Sequence, residues 1–418
     1  MPSLDSNIFV AVGLGYGDEG KGSVVDYLVR LKKADLVVRF NGGPQAAHNV
    51  VSPEGITHCF SQFGSGTLVP GVETFLSRFM FVDPLAIFVE DDVLKNKGVS
   101  NAMERLIVDR DCPIVTPFHK IVNQMREISR GDSRHGSCGM GVGEAVKDLD
   151  YFGQEYFFIK DIQDRTVMIR KLNFLRECKI DIAEQIFKEL PDNEQLRLRL
   201  GRIQDPGRVP ILAEVYSRFA ETIGARIKDR QYLAERLSGK GNVVFEGAQG
   251  VLLNPKTGQK PYVTKTDTTL KNAEELIAGS SKKIVRIGVL RAYMTRHGLG
   301  PFVTEDNKLT EMIPDSHNLN NEWQGKFRIG WFDLVAAKYA LKVAGDIDCL
   351  ALTNLDRIAG FNYIPICTSY GGSSEKYEPV YSEKIKGIGN YIRFLERELK
   401  KPISIVSFGP SANEKKLK

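Results

Sequence analysis

The feature that most constrains this chain lies in its first forty residues. Asn7–Leu14 (NIFVAVGL) is a continuous apolar run of strand length, of the kind buried on both faces of a parallel sheet. It runs into the glycine loop Gly15–Gly22 (GYGDEGKG). From Lys21 onward Val24, Val25, Leu28 and Leu31 recur at helical spacing with charges opposite, so an amphipathic helix is expected. Asp35–Phe40 (DLVVRF) reads as a second strand, closed by Gly42 and Gly43. Strand, glycine loop, helix and strand make a βαβ unit, which requires a parallel sheet with a right-handed crossover.

Comparable strand runs recur at Asn242–Gly247, Lys283–Leu290, Asp348–Thr353 and Ile403–Phe408. Each leads into a polar or glycine-bearing loop, where open α/β sheets place their ligand chemistry. Asp161–Leu237 is different: charged, helix-forming and poor in strands. The expected architecture is a single α/β domain over residues 1–418. It has a P-loop-like, mostly parallel central sheet flanked by helices, with a mainly helical insertion at 161–237.

Composition narrows the function classes. An apolar share of 42% with 26% charged residues is that of a soluble globular protein with a sizeable core. A formal charge of +5 over 418 residues suits anionic small molecules and does not call for nucleic acid. No basic stripe interleaved with aromatics supports nucleic-acid binding. The N-terminal residues lack a signal-peptide pattern, and no apolar run reaches membrane-span length. Six scattered cysteines without a C-x-x-C pair argue against a zinc ribbon or a disulfide framework. A cytoplasmic protein with no membrane partner is expected.

Gly15–Lys21 has the G-x-x-x-x-G-K spacing of a phosphate-binding loop, with Gly22 where a magnesium-binding Ser or Thr usually stands. Glycines let backbone N–H groups point inward, the helix that follows offers its positive end, and Lys21 adds a point charge. The bland alternative is a tight turn with a surface lysine. Two acids inside the loop, Asp18 and Glu19, would repel phosphate unless they serve magnesium or a proton transfer.

These motifs, taken together, resemble the adenylosuccinate synthetase family. The matching runs are Gly17–Gly22, Asn41–Gly43, Phe245–Gly250, Pro261–Thr264 with Thr268 and Thr269, Ala292–Glu305, Gly330–Asp333 and Leu352–Asp356. They occur in the family's order and span roughly Phe9 to Pro410. The resemblance implies a GTP-dependent ligase. GTP phosphorylates the 6-oxygen of IMP or a related purine, and the amino group of aspartate displaces that phosphate. On this resemblance Asp18 is the general base at purine N1 and a Mg²⁺ ligand, with the carbonyl of Gly43 as another ligand. Lys21 neutralises the transferring phosphoryl group. Gly17, Glu19, Gly20 and Gly22 line the triphosphate, and Asn354, Asp356, Ser407 and Gly409 belong to the guanine pocket. Asn41, Gln249 and Thr264 fall where the family holds its nucleotide substrate. A homodimer is also implied.

The sequence departs from the family on one side of this chemistry. The family's general-acid histidine is Pro44 here, and His48, matching a second family histidine, takes its catalytic place by expectation. Proline neither donates a proton nor offers an N–H. The loop that holds the acceptor's 5′-phosphate reads Ser137–Glu144, with Cys138 for a threonine and Met140 for an arginine. An arginine that crosses the family's dimer falls near Phe152. The arginine-rich loop for the amine donor's carboxylates is reduced to Lys326 and Arg328, and lysine is the less selective carboxylate ligand. The triphosphate side is therefore retained and the acceptor and amine side altered. The ordinary adenylosuccinate reaction, a related ligase with another purine or amine donor, and a non-catalytic role all remain open.

A GTP-binding switch is the competing class, but no D-x-x-G follows a strand convincingly, and a simple binding module does not need a paired acid and lysine. His58, His119 and His317 lack metal-ligand spacing and read as structural, while His135 and His297 lie beside motif loops. Glu246 is expected to stabilise the loop around Gln249, and Trp331 to lie in the core.

Overall fold

The computed structural model describes residues 6–315, 323–373 and 376–418; His317 falls outside them. Among the described residues ten strands form the central sheet: β1 (Ile8–Gly13), β2 (Leu36–Arg39), β3 (Glu73–Leu76), β4 (Leu106–Asp109), β5 (Ile227–Lys228), β6 (Val243–Gly250), β7 (Ile284–Arg291), β8 (Cys349–Thr353), β9 (Ile403–Ser407) and β10 (Lys415–Leu417). Their spatial order is β10-β9-β8-β7-β1-β6-β2-β3-β4-β5. Every pairing is parallel except that of β9 with the edge strand β10.

The apolar run at the N-terminus forms the middle of this sheet because both of its faces are covered. Ile8, Val10 and Val12 join one core cluster, and Phe9 and Ala11 join the other, following the alternation of a strand. The helix after the glycine loop, α1 (Lys21–Lys32), lays Val24, Val25 and Leu28 on the second face. Leu31 departs from the expected stripe. It is 40% exposed in the last turn, while Val29 is buried in its place.

β1 is followed in sequence by β2, yet β6 is inserted between them, and β7 lies on the other side of β1. The chain thus leaves β1 in one direction and later returns to its opposite flank. Such a reversal opens a crevice at the carboxyl ends of the strands, and the loops after β1, β6, β7, β8 and β9 meet there.

Beyond β4 lies a helical layer built from α2 (Pro84–Asn96), α3 (Pro117–Arg130), α4 (Val142–Phe152), α5 (Arg165–Glu189), α6 (Glu194–Gln204) and α7 (Arg208–Ile223). Met168, Leu172, Leu196, Leu212, Tyr216 and Phe219 seal it onto the sheet's far half. Asp148 of α4 binds His119 of α3 at 3.0 Å and Lys179 of α5 at 2.6 Å, so His119 has a structural task. His58 is similarly packed, edge-on against Phe60. No helix among the described residues is long and apolar enough to cross a membrane.

Candidate active site

The glycine loop is shaped by backbone that only a few residues tolerate. Gly17, Asp18 and Gly20 have φ of 93°, 60° and 86°, and Gly20 caps α1 in the left-handed conformation. Left-handed backbone strains any residue with a Cβ, so its appearance at Asp18 marks a site held by its surroundings. Arg291 at the end of β7 donates to the Asp18 carbonyl at 3.1 Å, and Thr353 of β8 donates to the Glu19 carbonyl at 2.7 Å. The first residues of α1, Lys21, Gly22 and Ser23, line a cleft of about 670 Å³. A helix N-terminus with open N–H groups is an anion site.

The two acids of the loop behave differently. Asp18 lines the cleft. Glu19 is turned inward, where it accepts from Gly17 N at 2.8 Å and pairs with Lys21 Nζ at 2.6 Å. Glu19 therefore orients the lysine and curves the loop, and its carboxylate does not border the cleft. Gly22 has an equally local reason. A Cβ there would stand 2.7 Å from His48 Cβ and 2.9 Å from Ser65 Oγ, so the usual hydroxyl residue has no room.

Along the cleft, two and three strands from β1, Asn354, Asp356, Ser407 and Gly409 form the opposite wall. Asn354 is again left-handed, with φ of 59°. Gln249, at φ 56°, and His48 border the middle of the same cleft. The structure thus gathers Gly17, Asp18, Gly20, Lys21, Gly22, His48, Gln249, Asn354, Asp356, Ser407 and Gly409 around one space.

The remaining sequence candidates stand back from it. Asn41 is fully buried, with its amide bonded to Ala248 N, Ala248 O and Asp267 O; it shapes the turn that presents Gln249. The Gly43 carbonyl accepts from Ala46 N at 3.2 Å. Ser137 accepts from Asn123 at 2.8 Å, in a loop with Cys138 between α3 and α4. Thr264 is tied to Leu253, which does line the cleft. Lys326 is exposed. Arg328 pairs with Glu305 at 2.8 Å and donates to Gly300 O, so its guanidinium anchors the loop after His297 instead of entering the cleft.

His48 is held by Glu246, not free to swing. Its Nδ1 lies 2.5 Å from Glu246 Oε1, and the same carboxylate accepts from Ser65 N at 2.9 Å and from Ser65 Oγ. The expectation that Glu246 steadies the Gln249 loop is corrected accordingly: its side chain grips His48 and Ser65. Burial would push Glu246 up, but His48, Arg39 and the bonds from His48 and Ser65 overcome it and hold the carboxyl at about 2. Burial pushes the His48 ring down against the pull of Glu246. A neutral ring whose Nδ1–H faces Glu246 presents Nε2 as an acceptor.

Sequence reasoning missed Gln45, Arg291 and Arg357, which also line the cleft, and gave His297 no role. Arg291 was legible only as the residue ending a buried strand. Its Nη2 binds Asp315 at 2.8 Å. His297 Nδ1 lies 3.4 Å from Asp18 Oδ2, across 279 residues of sequence; no local pattern marks that contact. Among the described residues no cluster of three or more acids, histidines or cysteines forms a ready-made metal site.

A phosphate-type glycine loop carrying an acid and a lysine, facing a polar wall across one cleft, is the site of a nucleotide-dependent enzyme. The sequence matches the family model of adenylosuccinate synthetase over residues 10–388. Among curated relatives, the adenylosuccinate synthetase of Cyanothece sp. is 32% identical, covering 97% of this chain and 93% of its own length. That of Geotalea uraniireducens is 33% identical, covering 97% of both. A fully ligated Plasmodium falciparum adenylosuccinate synthetase superposes with a TM-score of 0.80 at 22% identity, covering 99% of this chain and 100% of that one. The cyanophage S-2L succinoaminodeoxyadenylate synthetase, bound to dGMP and to dATP as energy donor, superposes at 0.62 with 17% identity, covering 99% and 95%. This chain belongs to the adenylosuccinate synthetase family, GTP-dependent ligases that join the amino group of aspartate to a purine.

Proposed function

We propose that Asp18 removes the N1 proton of the purine acceptor while its 6-oxygen takes the phosphoryl group of GTP, and that the amino group of aspartate then displaces phosphate. The observation that carries this reading is the placement of Asp18, at φ 60°, in the lining of one cleft with Lys21 and the first residues of α1. Positioning and fixed charge are what phosphoryl transfer requires of a protein. Lys21, oriented by Glu19, balances the charge on the moving group. Asp356 reads guanine by accepting from N1–H and the 2-amino group, a pair that adenine does not offer, with Asn354, Ser407 and Gly409 framing the base.

One carboxylate at a phosphate site fits Mg²⁺, which keeps several waters and takes its other ligands from the nucleotide. Asp18 would hold it, with the Gly43 carbonyl in support; bound there, the ion would offset phosphate charge. Gln249, Thr264, Ser137 and Cys138 serve the acceptor, and Asn41 presents Gln249. With Arg328 committed to Glu305, Lys326 is the one of that pair assigned to the amine donor's carboxylates, two residues from the cleft-lining Gln324. His48 serves the reaction as an acceptor at Nε2. We also assign a cytoplasmic setting and a homodimer.

Pro44 favours a second reading in which the acceptor is a purine other than IMP, because the acid that the family resemblance supplies at that position is gone. Phosphate release from GTP, measured with IMP, GMP or dGMP and with or without aspartate, separates the two. Adenylosuccinate formed from IMP at an ordinary rate eliminates the second reading. Release with a guanine nucleotide alone eliminates the first. Equal use of ATP and GTP would remove the role given to Asp356.

A further inference from the structure

A buried lysine without an acid partner stands behind the loop assigned to the nucleotide's base. Lys415 opens the edge strand β10 and is 4% exposed. Its Nζ donates to the carbonyl oxygens of Gly409, Pro410 and Ser411 at 3.2, 3.1 and 3.0 Å. An ammonium has three N–H groups, and each finds one backbone acceptor. Three acids face it from the packed elements without pairing to it: Asp26 of α1, Glu414 in the preceding turn and Asp356 after β8. Asp26 is bonded to Arg30 at 3.1 Å, and Glu414 accepts from Ser411 N at 2.8 Å.

The same loop is fixed at two further points. Ser407 Oγ donates to Gly409 O at 2.9 Å, and a Cβ on Gly409 would lie 2.2 Å from the Glu414 carboxylate. Its front, at Ser407, Gly409 and Pro410, lines the cleft.

We propose that Lys415 is a positioning residue that sets the curve of the Ser407–Ser411 loop against the nucleotide's base, and so sets the affinity for the triphosphate donor. The inference rests on the assignment of that loop to the base. Burial pushes Lys415 down to about 8, against the pull of Asp26, Glu414 and Asp356. Below that pH three donors serve three carbonyls. Above it the amine keeps two N–H groups and turns a lone pair toward the third carbonyl, so the loop loosens and donor binding weakens as pH rises.

The test compares wild type, Lys415→Met, Lys415→Arg and Ser407→Ala by steady-state kinetics with GTP, from about pH 7 to about pH 9. Lys415→Met is expected to raise KM for GTP about tenfold at neutral pH, the loss of one or two hydrogen bonds' worth of binding. It leaves kcat and KM for aspartate within about twofold, and its KM for GTP no longer rises with pH. Lys415→Arg keeps its charge throughout and is also flat in pH. A Lys415→Met enzyme with wild-type KM for GTP, while Ser407→Ala raises it, overturns the inference and leaves the loop assignment standing. If neither variant moves KM for GTP, the assignment fails and the inference with it. Should Lys415→Met not fold, a wild-type KM for GTP that stays level through pH 8 overturns the inference by itself.

Discussion

At the scale of single residues, the site separates groups that act from groups that hold them. Asp18 faces the cleft, and Asp18→Asn is expected to lower kcat by about 10²–10⁴-fold, the usual worth of a general base, with an unchanged melting temperature. A variant within about twofold of wild type would remove Asp18 from the chemistry. Glu246 is a holding group whose carboxyl is kept near 2 in the folded state. A carboxyl depressed on folding stabilises the protein above its unfolded value, and that contribution fades as pH falls toward the folded one. Glu246 therefore supports the fold above the ordinary glutamate value and loses that support as pH falls below it. Glu246→Gln should lower the melting temperature near neutrality and flatten its acid limb; a parallel acid limb in the variant would contradict this. The contact between His48 and Glu246 is not marked by the sequence around either residue, because it joins positions 198 residues apart.

Among the elements, α1 is the decisive one, and its first turn is limited by what packs on it. Gly22 stands against His48 and Ser65; His48 opens the strand His48–Val51, which pairs antiparallel with Thr57–Phe60, and Ser65 lies in the turn after that partner. Gly22→Ser would restore the hydroxyl usual for a phosphate loop, but at the cost of about 1–3 kcal/mol of overpacking. We expect a lower melting temperature and no gain in GTP turnover. A stable and more active serine variant would show that the crowding is relieved by movement of the His48 strand. The glycine itself is plain in the sequence, whereas its reason is not, since the colliding atoms come from another element.

For the whole molecule, the testable quantity is assembly. Tyr151, Phe152 and Phe174 form an aromatic cluster across α4 and α5, with ring centroids 5.0 and 4.9 Å apart. Tyr151 is 82% exposed and Phe174 42%. Exposed apolar patches mark interaction sites, so the proposed homodimer can be tested on this face. Tyr151→Lys combined with Phe174→Glu is expected to shift the mass measured by light scattering from dimer to monomer. A wild-type protein that is monomeric at micromolar concentration removes the assignment.

Contiguous pattern determined a good deal. The apolar run at Ile8–Gly13, the glycine loop and the helix after it specify a parallel α/β sheet because periodicity and backbone permissiveness are properties of neighbouring residues. The ordered motifs carried the family in the same way. Tertiary structure alone decided that β6 separates β1 from β2, that Glu19 turns from the cleft toward Lys21, and that Arg328 closes onto Glu305. It also brought Asp18, Gln249, Asp356 and Gly409 around one cleft. Each of these depends on strand order and on partners brought together by long-range packing, as Thr353 meets the Glu19 carbonyl across 334 residues. A side chain's task is set by the atoms that surround it after the sheet closes, and those come from elsewhere in the chain.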